Sequence, residues 1–471
     1  MDTLDKARDH EERYSRRISA EERPVYHLTA KTGWLNDPNG FSFYNGKYHL
    51  FYQYNPYSTS WDSMHWGHWT SEDLIHWNYE KAAMAPDKDY ETGCFSGSAI
   101  TDKEGRHLLI YTAHNEHGKG EELFREETQC LAFGDGENYE KYEGNPILTV
   151  KDMPEGSYKG DFRDPKIWFE DGKYYCVIAA RLKNGLGAVL RYESEDAFHW
   201  KYKDTLKAND GSWGRMWECP DYFTLEGEKV LSVSVMNMKK IEDCYRNGNC
   251  VMAFVGDSEK AQPLDTGFDY YAPQSMETPD GRRIVIGWMQ APDSGNCIPE
   301  EQKWFGQMSF PREMTVRNGH IYQQPIREIK ALYTGTVETS VSAPDNAEID
   351  GIFGRCVDMT AETKDASYFE MKFAEKDEIC VSLSYDKKSG YLILDRSCSG
   401  RSAAICDYRK VRIGAYDDLK IRLLLDRYSF EIFINDGEYV LSGTLYETPQ
   451  DAEGMTFSSD GTIDIKLNTI G

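Results

Sequence analysis

Three acidic side chains stand in settings that suit acid–base chemistry: Asp37, Asp164 and Glu218. Asp37 lies in Trp34-Leu35-Asn36-Asp37-Pro38-Asn39-Gly40. Pro38 removes a backbone donor and biases Asp37 away from helix, and Asn39-Gly40 is expected to turn the chain at the mouth of a strand. Asn36 and Asn39 are placed to hydrogen-bond the carboxylate and keep it ionised. Glu218, within Met216-Trp217-Glu218-Cys219-Pro220, has apolar neighbours that favour its protonated form, and a nearby Asp37 charge acts in the same direction. Asp164 is held between Arg163 and Pro165. A nucleophilic carboxylate, a protonated carboxyl and a third acid facing developing positive charge are the groups that cleave a glycosidic bond. Taken singly, each acid also reads as a structural turn or a satisfied buried group.

The repeats in the chain bring these acids together. Apolar run, Gly turn, apolar run recurs five times: FSFYNGKYHLFYQY, SGSAITDKEGRHLLIYTA, DPKIWFEDGKYYCVIAA, CPDYFTLEGEKVLSVSV and PQSMETPDGRRIVIGWM. The turn glycines are Gly46, Gly105, Gly172, Gly227 and Gly281. A second echo, SEDLIHW at 71–77 and SEDAFHW at 194–200, supports the first. Five β-hairpin units at this spacing predict an all-β fold with a five-bladed β-propeller. A single sandwich is the rival and does not explain the recurrence. The residues just before each first strand gather at one end of a propeller axis. Asp37, Phe95-Ser96, Arg163-Asp164, Glu218 and Tyr270-Tyr271 are therefore expected around one pocket.

Residues 25–330 are assigned to the propeller and 336–471 to a C-terminal β-sandwich. The latter rests on alternation at Val381, Leu383 and Tyr385, at Leu419 to Leu425, at Phe430 to Ile434 and at Ile463 to Leu467, with Asn435-Asp436-Gly437 and Asp460-Gly461 turns. Residues 1–24 form a helical extension. Leu4, Ala7, Tyr14 and Ile18 mark the apolar face of a helix over 3–20, and Pro24 ends it.

The chain has 471 residues, 40% hydrophobic and 13% aromatic, enough for more than one core. With 54 basic and 79 acidic residues the net charge is −25, which argues against nucleic acid or an anionic membrane as partner. There is no apolar run long enough to span a bilayer and no apolar signal segment at the start. Eleven cysteines, without a Cys-x-x-Cys pair, suit a reduced cytoplasmic protein. His65-x-x-His68 and His114-x-x-His117 lack a third ligand at useful spacing, and stacking on neighbouring aromatics is the better reading for the first pair. Cys219 reads as packing, since it has no histidine partner nearby. Gly185-Leu186-Gly187 lacks the context of a phosphate loop.

WLNDPNG (34–40), FRDP (162–165) and WECPD (217–221) resemble the three signature motifs of glycoside hydrolase family 32, the invertases and β-fructosidases. The blocks FYQYNP, HWGH, CFSGSA, FDYYAPQS, IGWM and FEIFINDGE extend the likeness to almost the whole chain from residue 25. The resemblance implies a retaining mechanism with Asp37 as nucleophile, Glu218 as acid/base and Asp164 as transition-state stabiliser. It implies a fructosyl pocket lined by Asn36, Gln53, Trp61, Phe95, Ser96 and Arg163, with Tyr271 and Trp288 from the later blocks. It implies no metal or other cofactor, and a small-molecule sugar as partner. Asp161, ahead of Phe162, is an extra acid near the site. Sucrose, sucrose-6-phosphate and short fructo-oligosaccharides are the candidate substrates, and Lys159, Arg215 and Lys303 the candidate phosphate contacts. A fructosyltransferase using the same acids and a non-hydrolytic sugar-binding propeller are the alternatives.

Overall fold

The computed structural model describes residues 3–118, 123–241, 244–245, 248–292, 299, 301–400 and 407–471. Residues 1 and 2 of the expected N-terminal extension, and Cys297 and Cys406, lie outside them.

The five hairpins head five separate antiparallel sheets. Their first two strands are Gly33–Tyr44 with Lys47–Asn55, Gly93–Thr101 with His107–His117, Ser157–Glu170 with Lys173–Leu182, Met216–Leu225 with Glu228–Met236, and Tyr271–Glu277 with Arg283–Trp288. Two further strands complete each sheet. The first sheet gains a fifth member, Trp304–Phe305, which runs parallel to Gly33-Trp34. The five turn glycines all have positive φ, between 79° and 92°, where a side chain would be strained. The SEDLIHW and SEDAFHW segments make the same turn. Ser71 and Ser194 each accept two backbone N–H groups, Asp73 and Asp196 accept two more, and Trp77 and Trp200 each donate to the carbonyl three residues back.

Each first strand touches the first strand of the next sheet, and the fifth touches the first, so the five close a ring. The motif residues lie inside these strands and not in turns ahead of them. Asn39-Gly40 does not reverse the chain: the strand runs from Gly33 to Tyr44 with its register broken between Leu35 and Pro38 and again between Asn39 and Ser42.

A short helix, Arg327–Leu332, leads into two six-stranded sheets packed around one apolar core, a β-sandwich. The Thr/Ser-rich stretch after it is a strand, Tyr333–Ser342, paired with Thr462–Ile470; it begins before residue 336. The two regions share a core. Leu424, Tyr428, Phe433, Val440 and Tyr446 of the sandwich pack into the apolar cluster that holds Trp34, Tyr270 and Ile286. At this junction the fully buried Arg312 pairs with Glu431 and Asp265, and the buried His27 bridges Asp426 and Glu431 at 2.9 Å each. The Asp426 carboxylate also accepts the backbone N–H groups of Val25, Tyr26 and His27.

The N-terminal helix is shorter than its periodicity suggests, Leu4–Ser15, capped by Thr3. Its buried face carries Ala7 and Glu11, whereas Tyr14 is 40% exposed. Leu4 and Ile18 pack against the apolar core as expected, and polar contacts add to this: Glu11 accepts the Ala82 N–H, and Arg8 donates to the Ala82 carbonyl.

Candidate active site

Every first strand carries a register break at the same height. The breaks fall between Leu35 and Pro38, Phe95 and Gly97, Arg163 and Lys166, Glu218 and Asp221, and Tyr271 and Gln274. Each contains or abuts a residue that suits a broken ladder: Pro38, Gly97, Pro165, Pro220 and Pro273. Asp164, Cys219 and Ala272 take positive φ there, at 63°, 45° and 49°. This is local strain of about 1–2 kcal/mol per residue.

Two rings of side chains result. Asn36, Phe95, Arg163, Glu218 and Tyr271 hold one set of equivalent positions; Asp37, Ser96, Asp164, Cys219 and Ala272 hold the next. Glu218 is therefore not equivalent to Asp37 and Asp164, as repeat matching suggested, but stands one residue earlier. Asp37, Asp164 and Glu218 all open into one cavity of about 370 Å³. Asn36, Gln53, Trp61, Phe95, Ser96, Arg163, Tyr271 and Trp288 line it too, together with Trp34, Ala291 and Pro292, which sequence reasoning did not select. Trp34 was within reach of that reasoning, since it opens the first motif.

Asp37 Oδ2 accepts from Ser96 Oγ at 2.7 Å and from the Cys219 thiol at 3.5 Å; Oδ1 accepts from Asn36 Nδ2 at 3.0 Å. Trp34 Nε1 donates to Asn36 Oδ1 and so orients that amide. Asn39 does not serve Asp37: its Oδ1 accepts the Gly97 N–H. Burial raises the Asp37 pKa above the usual carboxylate value, and the charge of Glu218 adds to this, against the pull of the three donors. Asn36 donates to the carboxylate as expected, while desolvation works against the ionised form.

The surroundings of Glu218 are polar, not apolar. Arg163 donates to its Oε1 from Nη2 at 2.7 Å and from Nε at 3.1 Å, and Tyr271 donates to Oε2 at 2.8 Å. The sequence showed Trp217 and Met216, but their side chains are packed away in the sheet core. Asp164 Oδ2 accepts the Cys219 N–H at 2.9 Å. Its pKa is raised, by burial first and then by Glu218 and Asp37, against Arg163.

The aromatic walls differ in exposure. Trp61 is 53% exposed at the mouth and meets Phe95 edge-on at 5.9 Å. Phe95 lies flat on His114 at 4.0 Å, and Trp34 meets Trp288 edge-on at 6.0 Å. Gln53 is fixed by its bond to the Cys94 carbonyl. His68 stacks on Phe51 at 4.2 Å, and among the described residues no group of three or more His, Cys, Asp or Glu is arranged to hold a metal ion. Lys303, a candidate phosphate contact, is turned instead to Glu22 and the Arg17 carbonyl. Lys159 and Arg215 are exposed and do not line the cavity.

A family model for the glycosyl hydrolases family 32 N-terminal domain matches residues 27–325, and one for the family 32 C terminal matches residues 328–470. The chain belongs to glycosyl hydrolases family 32. It is a glycoside hydrolase. Among its relatives are a sucrose-6-phosphate hydrolase of Escherichia coli, 35% identical over 93% of this chain and 92% of the relative, and a raffinose invertase of Escherichia coli, 36% identical over 93% and 94%. A solved GH32 β-fructofuranosidase from Bombyx mori superposes with a TM-score of 0.86 at 33% identity, covering 99% of this chain and 98% of that one. In this glycoside hydrolase the cavity brings three buried or half-buried acids into one polar, aromatic-walled hollow.

Proposed function

We propose that this family 32 chain is a retaining β-fructofuranosidase that hydrolyses the terminal fructosyl bond of sucrose, sucrose-6-phosphate or a short fructo-oligosaccharide. The observation that carries the reading is the pair Asp37 and Glu218, each entering one cavity with its carboxyl fixed by separate donors. Asp37 attacks the anomeric carbon, and Glu218 protonates the departing oxygen. The resulting fructosyl ester is hydrolysed by a water that Glu218 deprotonates. Asp164 faces the positive charge that develops on the ring. Asn36, Ser96 and Arg163 supply polar contacts to the sugar, and Trp34, Trp61, Phe95 and Trp288 its walls.

On this reading the five sheets are the blades of a propeller over 25–330, with the sandwich over 336–471 buttressing it. The names of the two Escherichia coli relatives, and a solved Bombyx mori β-fructofuranosidase structure that holds sucrose, support a sucrose-type substrate. No disulfide forms among the described cysteines and no described helix is long and apolar enough to cross a membrane.

The test is the leaving group. Glu218→Ala should lower sucrose turnover by about 10²- to 10⁴-fold. It should spare formation of the ester from an aryl β-fructofuranoside, whose leaving group needs no proton. Equal losses on both substrates would remove Glu218 from the acid role. Proton NMR of the first product formed should show the β-anomer of fructose; the α-anomer would overturn retention. Rates on sucrose, sucrose-6-phosphate, a kestose-type oligosaccharide and inulin rank the substrates, and product analysis at high sucrose separates hydrolysis from fructosyl transfer.

A further inference from the structure

Arg163 is the cation that faces Glu218, and it is held from behind. Its Nη1 donates to Asp161 Oδ1 at 2.7 Å and to Glu127 Oε2 at 3.3 Å, while Nε and Nη2 address Glu218. Asp161 in turn receives Arg181 on its other oxygen, from Nε at 2.6 Å and Nη2 at 2.5 Å. The Arg181 guanidinium lies over the Tyr158 ring at 4.1 Å. The local backbone is shaped for this relay. Strand pairing jumps from Phe162–Ala180 to Tyr158–Arg181, so Lys159, Gly160 and Asp161 stand outside the ladder. A Cβ at Gly160 would come within 2.6 Å of the Tyr158 ring, which would have to swing aside.

We infer that Asp161 is a positioning residue for catalysis: beside Glu127 it draws off part of the Arg163 charge that would otherwise act on Glu218, and Arg181 sets how much of that charge Asp161 takes. This rests on Glu218 being the acid/base. Asp161 is only 16% exposed, so solvent screens it little. The other titratable or charged groups facing the Arg163–Glu218 pair are Asp37, Asp164, Cys219 and Tyr271 around the cavity. Behind Arg163 stands Glu127, itself against His114. All of these are unchanged in the variants below.

The experiment is the pH profile of kcat/KM on sucrose for the full chain. In Asp161→Asn, Arg163 keeps Glu127 but turns more of its charge on Glu218 and favours the carboxylate. The alkaline limb, where the acid loses its proton, moves to lower pH by about 0.5–1 unit. Turnover at neutral pH falls several-fold on sucrose and less on an aryl β-fructofuranoside. In Arg181→Met, Asp161 is released to Arg163, and the limb moves the opposite way. Asp161→Glu restores the wild-type limb. Opposite movements support the inference. An unmoved limb in both variants, or movement in the same direction, overturns it. Should Asp161→Asn not fold, the direction of the Arg181→Met shift decides. Glu218→Gln assayed on the aryl substrate keeps the two readings apart. If the alkaline limb persists there, Glu218 is not its owner and the acid/base assignment itself fails; if it vanishes while the Asp161 variant leaves it in place, only the relay fails.

Discussion

At the scale of single residues, the site is a contest between desolvation and donors. Asp37 is pushed up by burial and by Glu218, and drawn down by Ser96, Asn36 and Cys219. Removing the shortest of these bonds tips the contest. Ser96→Ala should raise the acidic limb of the kcat/KM profile, because a nucleophile with a higher pKa ionises later as pH rises. A hydrogen bond to a charged group contributes about 1.5–3 kcal/mol, so kcat/KM below neutrality should fall by roughly 10- to 100-fold. A pH–rate profile checks both signs; an acidic limb that stays in place would mean that Ser96 does not hold the ionised form. The residue scale is also where sequence reading went furthest and erred most informatively. Eleven side chains named from motifs face one cavity. Yet the electrostatic surroundings of Glu218 were misjudged, because Trp217 and Met216 are neighbours in the chain and not in space, while Arg163 and Tyr271 are the reverse.

At the scale of elements, the hairpin rhythm made the five sheets legible, because turn glycines and alternating apolar runs are local signals. The register breaks were not legible as such. Pro38, Pro165, Pro220 and Pro273 were visible, but a proline in sequence reads as a turn, and only the partner strand shows that the ladder resumes beyond it. Gly97, the member without a ring, tests the bulge directly. A Cβ there would sit 2.0 Å from the Ile110 carbonyl oxygen, whereas one at the turn residue Gly46 would meet nothing within 4 Å. Gly46→Ala should cost about 1–2 kcal/mol for its positive φ and leave kcat intact. Gly97→Ala must displace backbone next to Ser96, and a shift near 1 Å at reacting groups lowers kcat by about 100-fold. Urea denaturation and initial rates on the two variants should separate them; equal kcat values would deny the bulge its positioning role.

At the scale of the whole molecule, the two regions are joined by buried charge. The His27 pKa is raised to about 9 by bonds to Asp426 and Glu431, which outweigh burial. A group with a folded pKa above its unfolded value of about 6.5 stabilises fully below 6.5, and that contribution is lost as pH climbs through about 9. Buried histidines in the first two sheets act in the other direction. His49 is lowered by burial to about 4, and His68 and His107 are also pushed well down. Their contribution is present above about 6.5 and lost as pH falls toward 4. Resistance to urea should therefore peak near pH 6.5, declining toward about pH 4 on one side and toward about pH 9 on the other. His27→Gln should cost about 3 kcal/mol at neutral pH, since it removes the charge that the buried Asp426 and Glu431 share and leaves them with Arg312 and backbone N–H groups, and should abolish the alkaline decline. An alkaline decline unchanged in that variant would assign it to other groups. The pairing at this junction could not be read from the sequence, because His27 and its partners are some 400 positions apart and nothing in the FEIFINDGE block that holds Glu431 points to His27.

That separation has a consequence for how the polypeptide is born. The N–H groups of Val25, Tyr26 and His27 find their acceptor in Asp426, and Gly33-Trp34 finds its parallel neighbour only at Trp304-Phe305. At ribosomal speeds of about 5–20 residues per second, the first segment to emerge waits tens of seconds for the last it needs. A nascent chain halted after the five-sheet region would leave Arg312 with Asp265 but without Glu431, and would hold a bare apolar flank. Such an intermediate should be a client for holding chaperones, and the two regions should be recoverable in active form when made together and not when made apart.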